Sequence, residues 1–186
     1  ATTEIYTLTL HDALPVLASN LGMSADAFWK KASDLAENKK MDRILAYMYL
    51  MLDEAHIHRQ PIRRSDFVAL GKDLKLYDGV EGWFGRINQF GKEQGVVIKH
   101  YIISSGLQEI IEGSSIFKEF DDVFAGEFLY DENGVACWPK NVVNYTTKTQ
   151  FLFRINKGVL NLSNDDDLNR FKPEEDRPVP FRNMIY

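Results

Sequence analysis

Val96-Val97-Ile98-Lys99-His100-Tyr101-Ile102-Ile103-Ser104-Ser105-Gly106-Leu107 is the stretch that decides how this chain is read. Val96, Val97, Ile98, Tyr101, Ile102 and Ile103 make a near-continuous apolar run, the pattern of a parallel strand covered on both faces. Gly95 closes an amphipathic helix predicted over 80–94, with Val80, Trp83, Phe84, Ile87 and Phe90 on one side. Beyond Ser104-Ser105-Gly106, the spacing of Leu107, Ile110 and Ile111 predicts a helix that Gly113 ends. A buried strand giving way to a helix at Ser104 places that turn at the carboxyl edge of a sheet. Ligands bind along that edge in open α/β folds.

Upstream, the first 75 or so residues read as helices only. Ser24 is a good N-cap for a helix carrying Ala27, Phe28, Ala32, Leu35 and Ala36, which runs to Asn38-Lys39-Lys40. A second helix starts near Met41 and is apolar around much of its circumference, from Ile44 to Ala55, so it should be the buried member of a bundle. Pro61 stops it. Ser65 then caps a short helix through Phe67, Val68 and Leu70 that ends at Gly71.

Downstream, residues 123–130 and 135–138 flank Asp131-Glu132-Asn133-Gly134, a good hairpin turn. A helix is predicted from about Lys148 to Lys157, with Gly158 as its stop. The acidic, proline-bearing segment 163–180 reads as a long loop, and Phe181 to Tyr186 as the start of another strand. The expected architecture is α/β: a Rossmann-like parallel sheet, incomplete within this chain, with an inserted helical cap. The expected division is a cap over 1–75 and an α/β core over 76–186.

The 186 residues are 45% hydrophobic and 26% charged, the balance of a globular protein, and the net charge is −5. That charge argues against a broad nucleic-acid surface, and no apolar run reaches the roughly 20 residues of a membrane span. The start Ala1-Thr2-Thr3-Glu4 is no signal peptide, so a cytoplasmic location is expected. Cys137 lies between Ala136 and Trp138 and is expected to pack within a strand rather than act as a thiol. Oligomeric state is not encoded in any recognisable pattern.

Two helix starts carry the candidate chemistry. A hydroxyl at Ser104 or Ser105, beside exposed amides and a helix N-terminus, suits a phosphate oxygen, and Gly106 lets the backbone approach closely. The competing reading is that one of these serines merely caps the following helix. Lys148 follows Thr146-Thr147, a plausible cap, and so opens its helix with a cation. That opposes the helix dipole at a cost of roughly 0.3–1 kcal/mol when exposed, unless an anion sits there too. The competing reading is a solvated surface lysine.

Together these segments resemble the haloacid dehalogenase-like hydrolase superfamily, nearest its phosphoserine-phosphatase-like branch. Tyr101-Ile102-Ile103-Ser104-Ser105-Gly106-Leu107 resembles the family's second motif, a hydrophobic strand ending in Ser or Thr. Thr147-Lys148-Thr149 resembles the third, and Leu76-Tyr77-Asp78-Gly79-Val80 is similar to the lead-in to the second, with Asp78 in place of the usual proline. The resemblance covers residues 76–186. It implies magnesium-dependent hydrolysis of a small phosphate monoester through an aspartyl-phosphate. Ser104 and Lys148 would then act on the phosphoryl group, with Ser105 and Gly106 beside it.

The family's first motif, an Asp-x-Asp ending a hydrophobic strand, and its acidic fourth motif are both absent. Asp165-Asp166-Asp167 is no substitute, because Asn161-Leu162-Ser163-Asn164 is too polar for a buried strand. The expectation is a chain represented without its ends, itself inactive; the alternative is a non-catalytic phosphate-binding or regulatory module with the same fold. His56 and His58, two apart on a helix, do not share a ligand face. Asp165, Asp167 and Asn169 imitate a calcium loop but have Arg170 where glycine is needed.

Overall fold

The computed structural model describes residues 22–186, which fall into two compact units, residues 22–144 and residues 145–186. The opening of the expected cap, residues 1–21, lies outside the described residues. The protein is mixed α/β, with seven α-helices and one three-stranded mixed sheet among the described residues. None of these helices is long and apolar enough to cross a membrane.

Residues 22–144 open with α1 (Ala25–Lys39), α2 (Arg43–Ile57), α3 (Arg64–Lys72) and α4 (Val80–Glu93). Ser24 caps α1 by accepting from the Ala27 amide, and Lys40 ends it in the left-handed conformation. Asp42 caps α2 by accepting from the amides of Ile44 and Leu45 at 2.9 and 3.0 Å. As its all-round apolarity predicts, α2 is the most buried helix, with Ala46, Tyr47, Met48, Leu50 and Met51 all enclosed. The entry to α3 differs from expectation. Ser65 lies inside the helix, and Asp66 reaches back to accept from the Arg63 amide at 2.9 Å.

The sheet has the order β1 (Tyr101–Leu107), β2 (Asp122–Tyr130), β3 (Ala136–Asn141). β1 runs parallel to β2, the connection passing through the short helix α5 (Gln108–Gly113) and a 3-10 turn at Phe117–Glu119. β2 and β3 are antiparallel, so the expected hairpin forms. Its turn is held by Asp131, whose carboxylate accepts from the amides of Asn133 and Val135, and by Gly134 at φ +72°.

The strand that is covered on both faces is β2, where Val123 to Gly126 are consecutively buried, and not β1. Val96 and Val97 stand outside β1, Val97 being 87% exposed. The chain is leaving α4 here: Gly95 takes φ +71° and the Val96 amide returns to the Gly91 carbonyl. Within α4 only Phe84 of the expected apolar face is buried deeply, against Phe120 and His100; Trp83 and Phe90 are exposed.

One hydrophobic core joins α1, α2 and α3 to the sheet and α5, through Phe28, Met48, Phe67, Leu107, Ile110 and Phe128. Phe67 stacks on Phe128 with ring centroids 5.7 Å apart. The chain before α3 is also sewn to the hairpin: the Ile62 carbonyl accepts from Ala136 N, and Arg64 N donates to the Gly134 carbonyl, both at 2.9 Å. Cys137 lies in β3 as expected but is exposed rather than packed, as are its neighbours Leu129 and Trp138 on the hairpin.

In residues 145–186, α6 (Tyr145–Lys157) is followed by α7 (Asp165–Asn169). Arg154 of α6, 1% exposed, organises the chain that leaves this helix. Its guanidinium donates to the carbonyls of Asn161 and Leu162 and to the Asp165 carboxylate, at 2.8, 3.2 and 2.7 Å. Part of the predicted long loop is therefore helical: Asn164 caps α7 by accepting from Asp167 N. The closing segment is not a strand. After Pro180 it turns through a 3-10 helix, Phe181–Asn183, with Phe181 edge-on to Phe153.

Candidate functional site

Ser104, Ser105 and Gly106 lie at the carboxyl end of β1, half-buried, in a stretch where the pairing slips. Ile103 faces Phe124 and Leu107 faces Gly126, so β1 advances four residues while β2 advances two. The extra backbone leaves the ladder as a bulge, a device that re-aims side chains at the rim of a sheet. Ser104 Oγ accepts from the Gly106 amide at 3.0 Å. Its own proton is committed to no described acceptor and is available to a ligand oxygen.

Neither serine caps α5. Leu107 holds the N-cap position with no side-chain hydrogen bond, because the bulge delays the helix to Gln108. Ser104 instead makes a tight turn on its own backbone.

One buried tyrosine holds this end of β1, and a tyrosine–carboxylate pair follows it at Glu109. Tyr47 of α2 donates its hydroxyl to the Ser105 carbonyl at 3.0 Å. Tyr130 of β2 donates to Glu109 Oε1 at 2.6 Å, and the second Glu109 oxygen is buried without a hydrogen bond. Burial pushes the Glu109 carboxyl above its ordinary value of 4.5, outweighing the Tyr130 hydrogen bond that works the other way. Burial also raises both tyrosines, with Glu109 adding to each, so both remain donors. Sequence reading takes Tyr47 as part of an apolar helix and Tyr130 as the end of a strand, and it does not single out Glu109.

The raised carboxyl has a definite linkage sign. Protonated Glu109 is favoured in the fold, so its contribution is complete below the unfolded value near 4.5 and is lost as pH rises through the folded one. Glu109→Gln keeps an acceptor for Tyr130 and removes the ionisation. In urea titrations from pH 4 to pH 8, the variant should gain stability relative to wild type as pH rises. Parallel profiles would contradict the assignment.

Lys148 belongs to the other unit. α6 begins at Tyr145, three residues before the predicted start, so Thr146 and Thr147 are helical and Lys148 is its fourth residue. No acidic residue occupies this first turn, and Lys148 Nζ makes no hydrogen bond or ion pair with any described residue. Asp165, which imitates a calcium ligand in the sequence, and His58 both have structural partners. Asp165 binds Arg154, and His58 faces Glu54, which also takes Lys31.

No protein-family model matches the chain. Over 134 residues, 63% of this chain, it is 31% identical to an uncharacterized protein of Borreliella burgdorferi. The match spans 45% of that relative, less than half its length. Among the described residues, no three His, Cys, Asp or Glu side chains are grouped to hold a metal ion, so the residues present do not fit the magnesium that the resemblance implies.

Proposed function

We propose that this chain carries the phosphate-recognising part of a haloacid dehalogenase-like phosphohydrolase acting on small phosphate monoesters. The observation that carries the reading is the bulge at Ser104–Gly106. It puts a hydroxyl with an uncommitted proton at the carboxyl end of a parallel strand, where α/β folds bind ligands. In this reading Ser104 donates to a phosphoryl oxygen and Lys148 supplies positive charge. Lys148 enters this reading by the resemblance of its sequence motif alone.

A Rossmann-like sheet is part of the same proposal. β1 and β2 are parallel and connected through α5, and the far edge of β1 pairs with no strand among the described residues. The strand that would continue the sheet, the attacking aspartate and the carboxylates for magnesium all belong, on this reading, outside residues 22–186. Helices α1 to α3 then form the cap side, governing water exclusion and leaving-group choice.

Orthophosphate binding to the 186-residue chain tests the proposal without requiring turnover. Ligand at a hundredfold excess over its Kd stabilises by about 2.7 kcal/mol. Orthophosphate should therefore raise the melting midpoint beyond potassium chloride of equal ionic strength, and Ser104→Ala should weaken the effect. Equal midpoints in phosphate and chloride would contradict the reading.

A further inference from the structure

The Ser105 carbonyl lies where β1 has left the ladder, between the Ile103–Phe124 and Leu107–Gly126 pairs. A half-buried carbonyl in a bulge has lost its regular strand partner and needs another. Tyr47 provides it from α2, 58 positions away in sequence, at 3.0 Å. The Tyr47 ring is 2% exposed and held edge-on by Trp29 at 5.8 Å, so the hydroxyl is delivered from a fixed ring. Burial, and then the charges of Glu109 and Asp42, keep the phenol protonated and therefore a donor.

The opposite strand is shaped to the same arrangement. A Cβ on Gly126 would come 3.0 Å from the Gly106 carbonyl oxygen and 3.6 Å from the Tyr47 hydroxyl. Glycine at that position lets β2 approach the bulge while leaving the phenol its place. Ser105 and Gly106 are thus held by Tyr47 on one side and confined by Gly126 on the other. Ser104 is tied to them through the Gly106 amide.

We infer that Tyr47 is a positioning residue for the anion site: by holding the Ser105 carbonyl it fixes the direction of the Ser104 hydroxyl. This deepens the proposed phosphate recognition and rests on it for its functional half. Tyr47 touches no ligand itself. Its action passes through one main-chain carbonyl, from the helical layer to the edge of the sheet.

Tyr47→Phe removes only the hydroxyl and keeps the ring. Two readouts separate the structural and functional halves: hydrogen exchange of the Gly106 amide followed by NMR, and the Kd for orthophosphate of the folded protein. The expected result is faster Gly106 exchange, with amides in the middle of α1 unchanged, and orthophosphate affinity lowered about tenfold, the scale of one hydrogen bond to a charged group. Adding Ser104→Ala to Tyr47→Phe should cost less than it does in wild type, because both changes remove the same contact.

Wild-type Gly106 exchange in a folded Tyr47→Phe protein would overturn the inference, as would faster exchange with undiminished affinity. Faster exchange with no phosphate binding even by wild type would support the hold of Tyr47 on the bulge and overturn the phosphate reading. If Tyr47→Phe fails to fold, Gly126→Ala disturbs the same bulge from the other side, pressing the neighbouring Gly106 carbonyl. It must then accelerate Gly106 exchange and weaken orthophosphate binding, and wild-type behaviour in both would overturn the inference.

Discussion

Gly71→Ala is expected to destabilise the protein by about 3 kcal/mol, the upper end of what overpacking costs and far more than a surface glycine-to-alanine change. α3 and α5 touch backbone to backbone. A methyl group on Gly71 would collide with the Ile110 carbonyl oxygen and come 2.7 Å from Cα of Gly113. One on Gly113 would collide with the Val68 carbonyl and come 2.9 Å from Cα of Gly71. These obstacles are main chain, so no side chain can rotate away, and α5 would have to leave its seat between α3 and the sheet. Gly85, in the middle of α4, has nothing within 4 Å of an added Cβ. There alanine should stabilise by about 0.5–1 kcal/mol through helix propensity alone. Urea titrations of wild type and the two variants check the contrast. A Gly71→Ala protein as stable as Gly85→Ala would mean that α3 and α5 do not cross as described.

Gly71 and Gly113 also mark a limit of reading the sequence. Each looks like a helix stop, because glycine after an apolar run usually is one. Their actual role, contact across 42 positions between two helices, leaves no local trace. α1, α2, α4 and the β2–β3 hairpin are legible because their signals are local: a capping Ser24, the all-round apolarity of residues 44–55, and the Asp131–Gly134 turn. The apolar run before Tyr101 starts strand β1 too early. Val96 and Val97 have strand propensity, but the chain spends them on the exit from α4, where the Gly91 carbonyl binds the Val96 amide.

The candidate site is legible in its residue types and less so in its geometry. A serine after a hydrophobic strand is visible in sequence; a bulge of two extra residues against β2 is not, since register depends on the partner strand. Nor can the sequence reveal that Tyr47, one of many apolar and aromatic residues on α2, bonds to Ser105. In residues 145–186 the polar run before Asp165 correctly argues against a buried Asp-x-Asp strand. Its polar side chains serve a turn and a cap: Asn161 Oδ1 accepts from Ser163 N and Oγ, and Asn164 Oδ1 from Asp167 N, while Arg154 gathers the carbonyls of Asn161 and Leu162. Phe181-Arg182-Asn183 has the look of a strand start, but Pro180 opens a 3-10 turn instead.

The measurement closest to the central claim is phosphate release from a panel of small monoesters by the full-length protein, with and without Lys148. Lysine in the first turn of α6 opposes the helix dipole and makes no bond to any described residue. A lysine of purely structural standing there is mildly unfavourable, so Lys148→Ala would leave turnover intact and stability unchanged or slightly raised. As the charge that meets a phosphoryl group, its loss should lower the rate by about 10²–10³-fold, with the same small change in stability. Ser104→Ala should act in the same direction but less, since a neutral donor stabilises developing charge more weakly than a full charge. The account predicts hydrolysis by wild type and that steep loss in a folded Lys148→Ala protein. No hydrolysis of any monoester, or normal turnover without Lys148, would contradict it.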